Sequence, residues 1–228
     1  LSRVSAFAGR SVGVVGDMML DQYILGKATR LSQEAPVPVV LVQRETGVPG
    51  GAANVVRNIL SLGGRAYAFG LTGVDAAGAQ LRGLLQHGGA DLEGVIDVSD
   101  RPTTVKTRVL AGNQQVVRID REVTSPATPA TIARLLAHLE GMLQARRLQA
   151  VILEDYAKGL FSREIMARIV EMCRQAGVPT MLDPHPNSPF NVKGINLMTP
   201  NRSEAFSLAG ARYASSNGRP LHDDRPLL

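Results

Sequence analysis

Short apolar runs that stop at a polar residue recur along this chain, and stretches with helical spacing separate them. Val12-Gly13-Val14-Val15-Gly16 is the first, the pattern of a strand buried on both faces, and its carboxyl end delivers Asp17. Residues 52–62 read as a helix, 66–70 as a strand, and 75–86 as a helix with Leu81, Leu84 and Leu85 on one face. Thr128 is placed to cap a helix with Pro129 in its first turn, and Ile132, Leu135, Leu136, Leu139 and Leu143 form its apolar stripe. A buried strand over 150–153, a helix capped by Ser162, and strands over 179–182 and 195–199 follow. Four of these strands end in polar residues: Asp17, Glu154-Asp155, Asp183 and Asn201. In open α/β sheets ligands bind at such ends.

Two segments break the alternation. Residues 22–46, with Ala35-Pro36-Val37-Pro38-Val39-Val40-Leu41-Val42, and residues 103–119, two strand-like runs around Ala111-Gly112-Asn113, are β-rich and do not read as crossover helices. They predict strands outside the main sheet, in the manner of a flap or lid. No internal repeat or low-complexity tract is present. Residues 211–228 read as a loop and the start of a further helix, so the domain over 1–210 is expected to be incomplete.

Composition narrows the function classes. At 228 residues and 44% hydrophobic content the chain has enough apolar sequence for one α/β core. It contains no apolar run of membrane-spanning length and does not open like a signal peptide, so the expected location is the cytoplasm, with no membrane partner. The net charge of +5 does not mark a nucleic-acid surface, because the arginines are scattered apart from Arg146-Arg147, aromatics are 4% and Trp is absent. Lysine is scarce: Lys27, Lys106, Lys158 and Lys193 are the whole set. The single Cys173 falls at helical spacing with Ile165, Ile169 and Met172, which reads as core packing.

Four segments carry candidate chemistry. In Val48-Pro49-Gly50-Gly51-Ala52-Ala53-Asn54, Gly50 and Gly51 leave backbone open beside a helix N-terminus, and Asn54 offers donors and an acceptor for vicinal hydroxyls. A plain strand-to-helix connection has the same appearance. Asp17 and Asp21 flank the first strand's exit and are candidate acceptors of sugar hydroxyls, or simple turn and cap residues. Glu154-Asp155-Tyr156-Ala157-Lys158-Gly159 puts two acids and a rare lysine after a buried strand, which suits an anionic ligand with a cation or a local ion pair. In Thr199-Pro200-Asn201-Arg202-Ser203-Glu204 the Asn-x-x-Glu spacing is that of a capping box, and the same atoms also suit metal-bound water near a nucleotide phosphate. His87, His138, His185 and His222 lack metal-ligand spacing, and neither Gly-x-Ser-x-Gly nor Gly-x-Gly-x-x-Gly occurs after a strand.

In this order, Gly16-Asp17-Met18-Met19-Leu20-Asp21-Gln22-Tyr23, Gly50-Gly51-Ala52-Ala53-Asn54-Val55, Asp155-Tyr156-Ala157-Lys158-Gly159 and Thr199 to Glu204 resemble the ribokinase, or phosphofructokinase-B, family of sugar kinases. Within it they are most similar to the D-glycero-β-D-manno-heptose 7-phosphate kinases. The resemblance implies a ribokinase-like three-layer α/β/α fold with a mostly parallel sheet and a small β lid that often makes a homodimer. It implies ATP and Mg²⁺, and transfer of the γ-phosphate to the C1 hydroxyl of heptose 7-phosphate on the route to ADP-heptose and lipopolysaccharide. By the same resemblance, Asp17, Asp21, Gly50, Gly51 and Asn54 hold the sugar, with Lys106 and Arg118 from the lid, and Lys158 approaches phosphate. Asn201, Arg202, Ser203 and Glu204 match the nucleotide motif, and Asp155, Asp183 and Glu204 are the tentative metal set.

Two departures qualify that assignment. Asp183-Pro184-His185-Pro186 stands where many heptose kinases have Asp-Pro-Lys, and the family's Gly-Ala-Gly-Asp segment, which carries the catalytic base, does not occur in the 228 residues. The catalytic base is therefore unassigned, and these residues alone are expected to bind without turnover. A non-catalytic phosphosugar-binding module and a kinase for another carbohydrate are the competing expectations.

Overall fold

A computed structural model of the protein describes residues 5–186 and 192–210; the expected loop and helix start at 211–228 lie outside them. After β1 (Ser11–Gly16), the chain leaves the main sheet as β2 (Met18–Leu31) and β3 (Pro38–Gly51), then returns through α1 (Ala52–Ser61) and β4 (Arg65–Gly73). Next come α2 (Ala76–His87), β5 (Asp91–Val98), the second excursion β6 (Thr104–Ala111) and β7 (Gln114–Arg121), and α3 (Pro129–Gln144). The chain continues through β8 (Ala150–Glu154), α4 (Arg163–Ala176), β9 (Thr180–Asp183), β10 (Leu197–Met198) and α5 (Arg202–Leu208).

Six strands form the central sheet in the order β10-β9-β8-β1-β4-β5, and every pairing is parallel. From β1 the chain builds outward through β4 and β5, then crosses to the other side of β1 and builds outward again through β8, β9 and β10. The direction reverses between β1 and β8, where the flanking crossovers part and a crevice opens at the carboxyl ends. In register there, Gly16 faces Glu154 and Glu154 faces Asp183.

Alternation along the strands makes the three layers. Val14, Ala66, Ala68 and Val95 pack with Ala52, Ala53 and Val56 of α1 and Leu81 and Leu85 of α2. Their neighbours Val15, Phe69, Ile96, Val151 and Leu153 point the other way, into the α3 stripe of Ile132, Leu135, Leu136, Leu139 and Leu143 and the α4 residues Met166, Ile169 and Cys173. The helices start where the sequence reading places them: Asp75 accepts from Gly78 N–H at 2.7 Å, Thr128 from Thr131 N–H at 3.2 Å with Pro129 in the first turn, and Ser162 from Ile165 N–H at 3.3 Å. Burial pushes the Cys173 thiol up to about 12, in keeping with a packing role.

Three details differ from the reading of the sequence. Leu84 is 37% exposed, because only Leu81 and Leu85 reach the sheet from α2. β5 has no counterpart in that reading: it is an edge strand, so Glu93 and Asp97 stay in solvent and its pattern lacks the continuous apolar run of a central strand. β10 is two residues long, against an expected span of 195–199.

The two excursions form one four-stranded sheet, β3-β2-β6-β7, in which β2 pairs antiparallel with β3 and parallel with β6, and β6 antiparallel with β7. Met18, Met19 and Leu20, at the root of β2, are buried and tie it to the core. No helix among the described residues is long and apolar enough to cross a membrane.

Leu139→Ala should cost about 2–5 kcal/mol, since the side chain is fully buried between α3 and the sheet, whereas Leu84→Ala should stay within about 0.5 kcal/mol. Urea denaturation of the two variants beside the parent protein checks the contrast; equal losses would mean the α2 face is packed as tightly as α3.

Candidate functional site

Asp17 leaves the end of β1 at the reversal point and is 6% exposed. Its Oδ2 accepts the backbone N–H of Tyr156 at 2.9 Å and of Lys158 at 3.1 Å, and its own N–H donates to the Glu154 carbonyl at 3.2 Å. One carboxylate thus joins the ends of β1 and β8. The loop it holds is tightly wound: Ala157 has φ 54° and Gly159 φ 83°. A left-handed alanine costs on the order of 1 kcal/mol or more, and it is retained because the N–H groups around it are taken up by carboxylates, Ala157's own by Asp155 Oδ1 at 2.8 Å. Burial raises the Asp17 carboxyl from 3.8 to about 6, against the pull of the Tyr156 and Lys158 N–H groups, with Asp155 adding to the rise.

Gly50 and Gly51 bring the lid root against this carboxylate. Gly51 precedes α1 at φ 53°, ψ −135°, a conformation reserved for glycine, and a Cβ there would lie 2.7 Å from the Asp17 carbonyl. A Cβ on Gly50 would stand 2.5 Å from Asp21 Oδ2. The glycines therefore make room for this chain's own Asp17 and Asp21. Ala52 N–H donates to the Asp17 carbonyl at 3.1 Å, and two residues on, half-buried Asn54 accepts from Arg57 Nη2 at 2.8 Å.

The lid contributes a band of charge on one face. Asp21 Oδ1 takes Arg108 Nη1 at 2.6 Å, and that guanidinium also sits 5.5 Å from the Tyr23 ring centroid. Lys106 bridges Asp120 at 3.1 Å and Glu122 at 3.3 Å, Arg118 makes a forked bond to Asp120 at 2.8 and 2.9 Å, and Lys158 reaches up from the core loop to Glu122 at 2.9 Å. Arg101 braces the loop from below, donating to the Lys158 carbonyl at 3.2 Å and the Ser125 carbonyl at 2.8 Å. Asp17, Lys158, Arg101, Thr72 and Thr104 line one cleft between lid and sheet. Arg101, Arg108, Asp120 and Glu122 are absent from the sequence-predicted set. The period-two spacing of Arg118, Asp120 and Glu122 with the partners Lys106 and Arg108 was the available signal for three of them.

The residues expected at the nucleotide end stand apart from this band. Asn201 and Glu204 form a complete capping box on α5, with Asn201 N–H donating to Glu204 Oε2 at 2.7 Å and Glu204 N–H to Asn201 Oδ1 at 3.0 Å. Arg202 is half-buried and Ser203 exposed. Asp183 Oδ1 accepts the Thr199 hydroxyl at 3.1 Å. Glu154, 4% exposed, is pushed up to about 8 by burial and by Asp183 beside it, and burial with the neighbouring acids takes the Tyr156 hydroxyl to about 12. The tentative metal set does not gather: among the described residues no three His, Cys, Asp or Glu side chains are placed to hold a metal ion. The reason is local, since Asp155 takes Ala157 N–H, Asp183 the Thr199 hydroxyl, and Glu204 its own cap.

The sequence pattern of the pfkB family carbohydrate kinases matches residues 10–218. The bifunctional protein HldE of Caulobacter vibrioides is 42% identical over 206 residues, 90% of this chain and 41% of that protein. That of Wolinella succinogenes is 40% identical, over 86% of this chain and 41% of its own length. The chain thus spans about two fifths of these curated relatives. Among solved structures, Arabidopsis thaliana ribokinase complexed with ribose and ATP superposes with a TM-score of 0.60 at 20% identity, covering 89% of this chain and 63% of that one. The tetrameric inhibited form of Escherichia coli phosphofructokinase-2 gives 0.66 at 17% identity, with 96% and 68% coverage. These structures establish the fold as ribokinase-like.

The raised Asp17 carboxyl has a pH signature. A folded value of about 6 against 3.8 unfolded means that its contribution to stability is full below about pH 4 and is lost as pH rises through about 6, on the order of 3 kcal/mol in all. Asn keeps an acceptor for Tyr156 and Lys158 without the charge. Asp17→Asn should therefore match the parent near pH 4 and exceed it in urea midpoint at pH 7; parallel profiles from pH 4 to 7 would mean the carboxylate is solvated.

Proposed function

The chain belongs to the pfkB family of carbohydrate kinases, and from that premise we propose that it serves ATP-dependent phosphorylation of a sugar phosphate, D-glycero-β-D-manno-heptose 7-phosphate at C1. The product would be the 1,7-bisphosphate, a step toward ADP-heptose for lipopolysaccharide in the cytoplasm, where ATP is available. The observation that carries the reading is the meeting of two of the four lysines, Lys106 and Lys158, above the buried Asp17 at the reversal point of the sheet. Asp17 and Lys158 in one cleft, with Lys106 beside it through Glu122, suit a ligand with a polyol body and an anionic end. The identity to HldE proteins over most of the chain supports the heptose as that ligand.

In this reading Asp17, Asp21 and Asn54 accept and donate to the sugar hydroxyls, and Gly50 and Gly51 keep the lid root close enough for them to do so together. Lys158 and Lys106 draw the 7-phosphate as point charges, while Arg108 and Arg118 fix the acids around them. Asn201 to Glu204 lie toward the nucleotide. The described residues do not fit a protein-built Mg²⁺ cage. The base that takes the C1 hydroxyl proton is assigned to none of them. On the outer lid face, opposite Lys106 and Arg118, Val117 and Ile119 are exposed, which supports a homodimer through the lid.

Calorimetric titration with heptose 7-phosphate tests the reading, with submicromolar to micromolar binding expected in proportion to a charge-assisted polar site. Asn54→Ala should remove about 1–3 kcal/mol of that binding. Lys158→Met should weaken it by about tenfold or more with little change in melting temperature. A parent chain that does not bind heptose 7-phosphate would refute the substrate, and a collapse of folding in Lys158→Met with unchanged affinity would make the lysine structural. Release of ADP by residues 1–228 would assign the base to an acid of this chain, with Asp155 and Asp183 first to be tested.

For the dimer, Ile119→Glu should shift sedimentation toward the monomer while the melting temperature is kept. An unchanged sedimentation coefficient would move the contact elsewhere.

A further inference from the structure

Glu122 directly follows β7, in the segment that leads from lid to core, and its two carboxylate oxygens are divided between two lysines. Oε1 lies 2.9 Å from Lys158 Nζ and Oε2 3.3 Å from Lys106 Nζ. Lys106 has a second acid, Asp120, at 3.1 Å. The Lys158 backbone is fixed at both ends, its N–H on Asp17 and its carbonyl under Arg101, so its ammonium swings only on its own four-carbon stem. All three charged groups keep a partial exposure, between 16% and 24% of the side chain, so a solute can reach them. Burial works to raise the Glu122 carboxyl, yet the bonds from Lys158 and Lys106 prevail and hold it below the usual carboxylate range, charged at neutral pH.

A carboxylate held between two ammonium groups occupies a place whose chemistry suits a phosphate. We propose that Glu122 is an internal counter-ion which the phosphate of the substrate displaces, so that Glu122 sets the discrimination between phosphorylated and unphosphorylated sugars. This rests on the reading that the cleft takes a sugar phosphate. Without Glu122 the two lysines would attract any small anion. With it, only a group of higher charge, aligned by the rest of the sugar, takes both ammonium groups from the carboxylate. Because Lys158 belongs to the core loop and Lys106 and Glu122 to the lid side, the exchange also replaces a direct lid-to-core ion pair by one made through the ligand.

The test is titration calorimetry of the parent protein and Glu122→Gln with three probes: inorganic phosphate, heptose 7-phosphate and unphosphorylated heptose. Glu122→Gln should tighten both phosphate-bearing probes by about threefold to tenfold, the scale of one or two part-exposed ion pairs, and leave heptose unchanged. Glu171→Gln, which removes the same charge from the exposed surface of α4, should change none of them. Should Glu122→Gln fail to fold, Glu122→Asp, which withdraws the carboxylate by one methylene, should give a smaller gain of the same sign. Weaker phosphate binding in either Glu122 variant would overturn the proposal, as would an equal change for heptose or an equal gain in Glu171→Gln. If the parent does not bind heptose 7-phosphate but the inorganic phosphate gain persists, the substrate assignment falls and the counter-ion role stands.

Discussion

The buried carboxylate of Asp17 is the interaction on which the site depends. The order in which strands are added to this parallel sheet reverses between β1 and β8, so those two neighbouring strand ends have no direct covalent connection. Asp17 supplies an acceptor for Tyr156 and Lys158, and its carbonyl receives the first N–H of α1. Removing a carboxylate from water is unfavourable, and the raised carboxyl records that cost. It is offset by placing the loop, the helix start and the lid root within hydrogen-bond reach of one another, which is the condition for a ligand to be gripped from several sides.

From that fixed point the electrostatics of the cleft follow. The lid face carries cations and acids in alternation: Asp21 takes Arg108 alone, while Asp120 is shared by Lys106 and Arg118 and Glu122 by Lys106 and Lys158. Exposed pairs of this kind contribute little to stability, about 0–1 kcal/mol each. Their effect is on what the cleft accepts. A sheet face with its charges already paired keeps orientation without a large net field, and the lysines remain exchangeable because their stems are flexible and their partners are not. The lid is therefore joined to the core by charges that a ligand can take over, and by the apolar root of Met18, Met19 and Leu20, which it cannot.

The sequence by itself determined the layered core and its punctuation. Val14 and Val15, the α3 stripe, and the caps Asp75, Thr128 and Ser162 are local in origin: strand alternation, helical spacing and side-chain capping act within a few residues, so their outcome is written in a few residues. The Asn201–Glu204 box was legible for the same reason, and it is why that segment reads equally well as a cap and as a nucleotide motif. Edge strand β5 was not legible, because partial exposure removes the apolar run that marks its neighbours.

Only the tertiary structure decided which charges meet. Asp17 and Lys158 are separated by 141 positions and Asp21 and Arg108 by 87, and neither spacing has a period from which contact is inferred. Asp120 and Glu122 carried a period-two signal, but their partners follow from the antiparallel register of β6 with β7, which sets Lys106 opposite Asp120, and from the fold that brings the loop after β8, with Lys158, to Glu122. That Asp155, Asp183 and Glu204 do not gather as direct ligands has the complementary reason. Asp155 and Asp183 stand at strand ends and Glu204 in the first turn of α5, yet each is engaged by a donor near it in space, and an acid's nearest N–H or hydroxyl is decided by where the backbone turns.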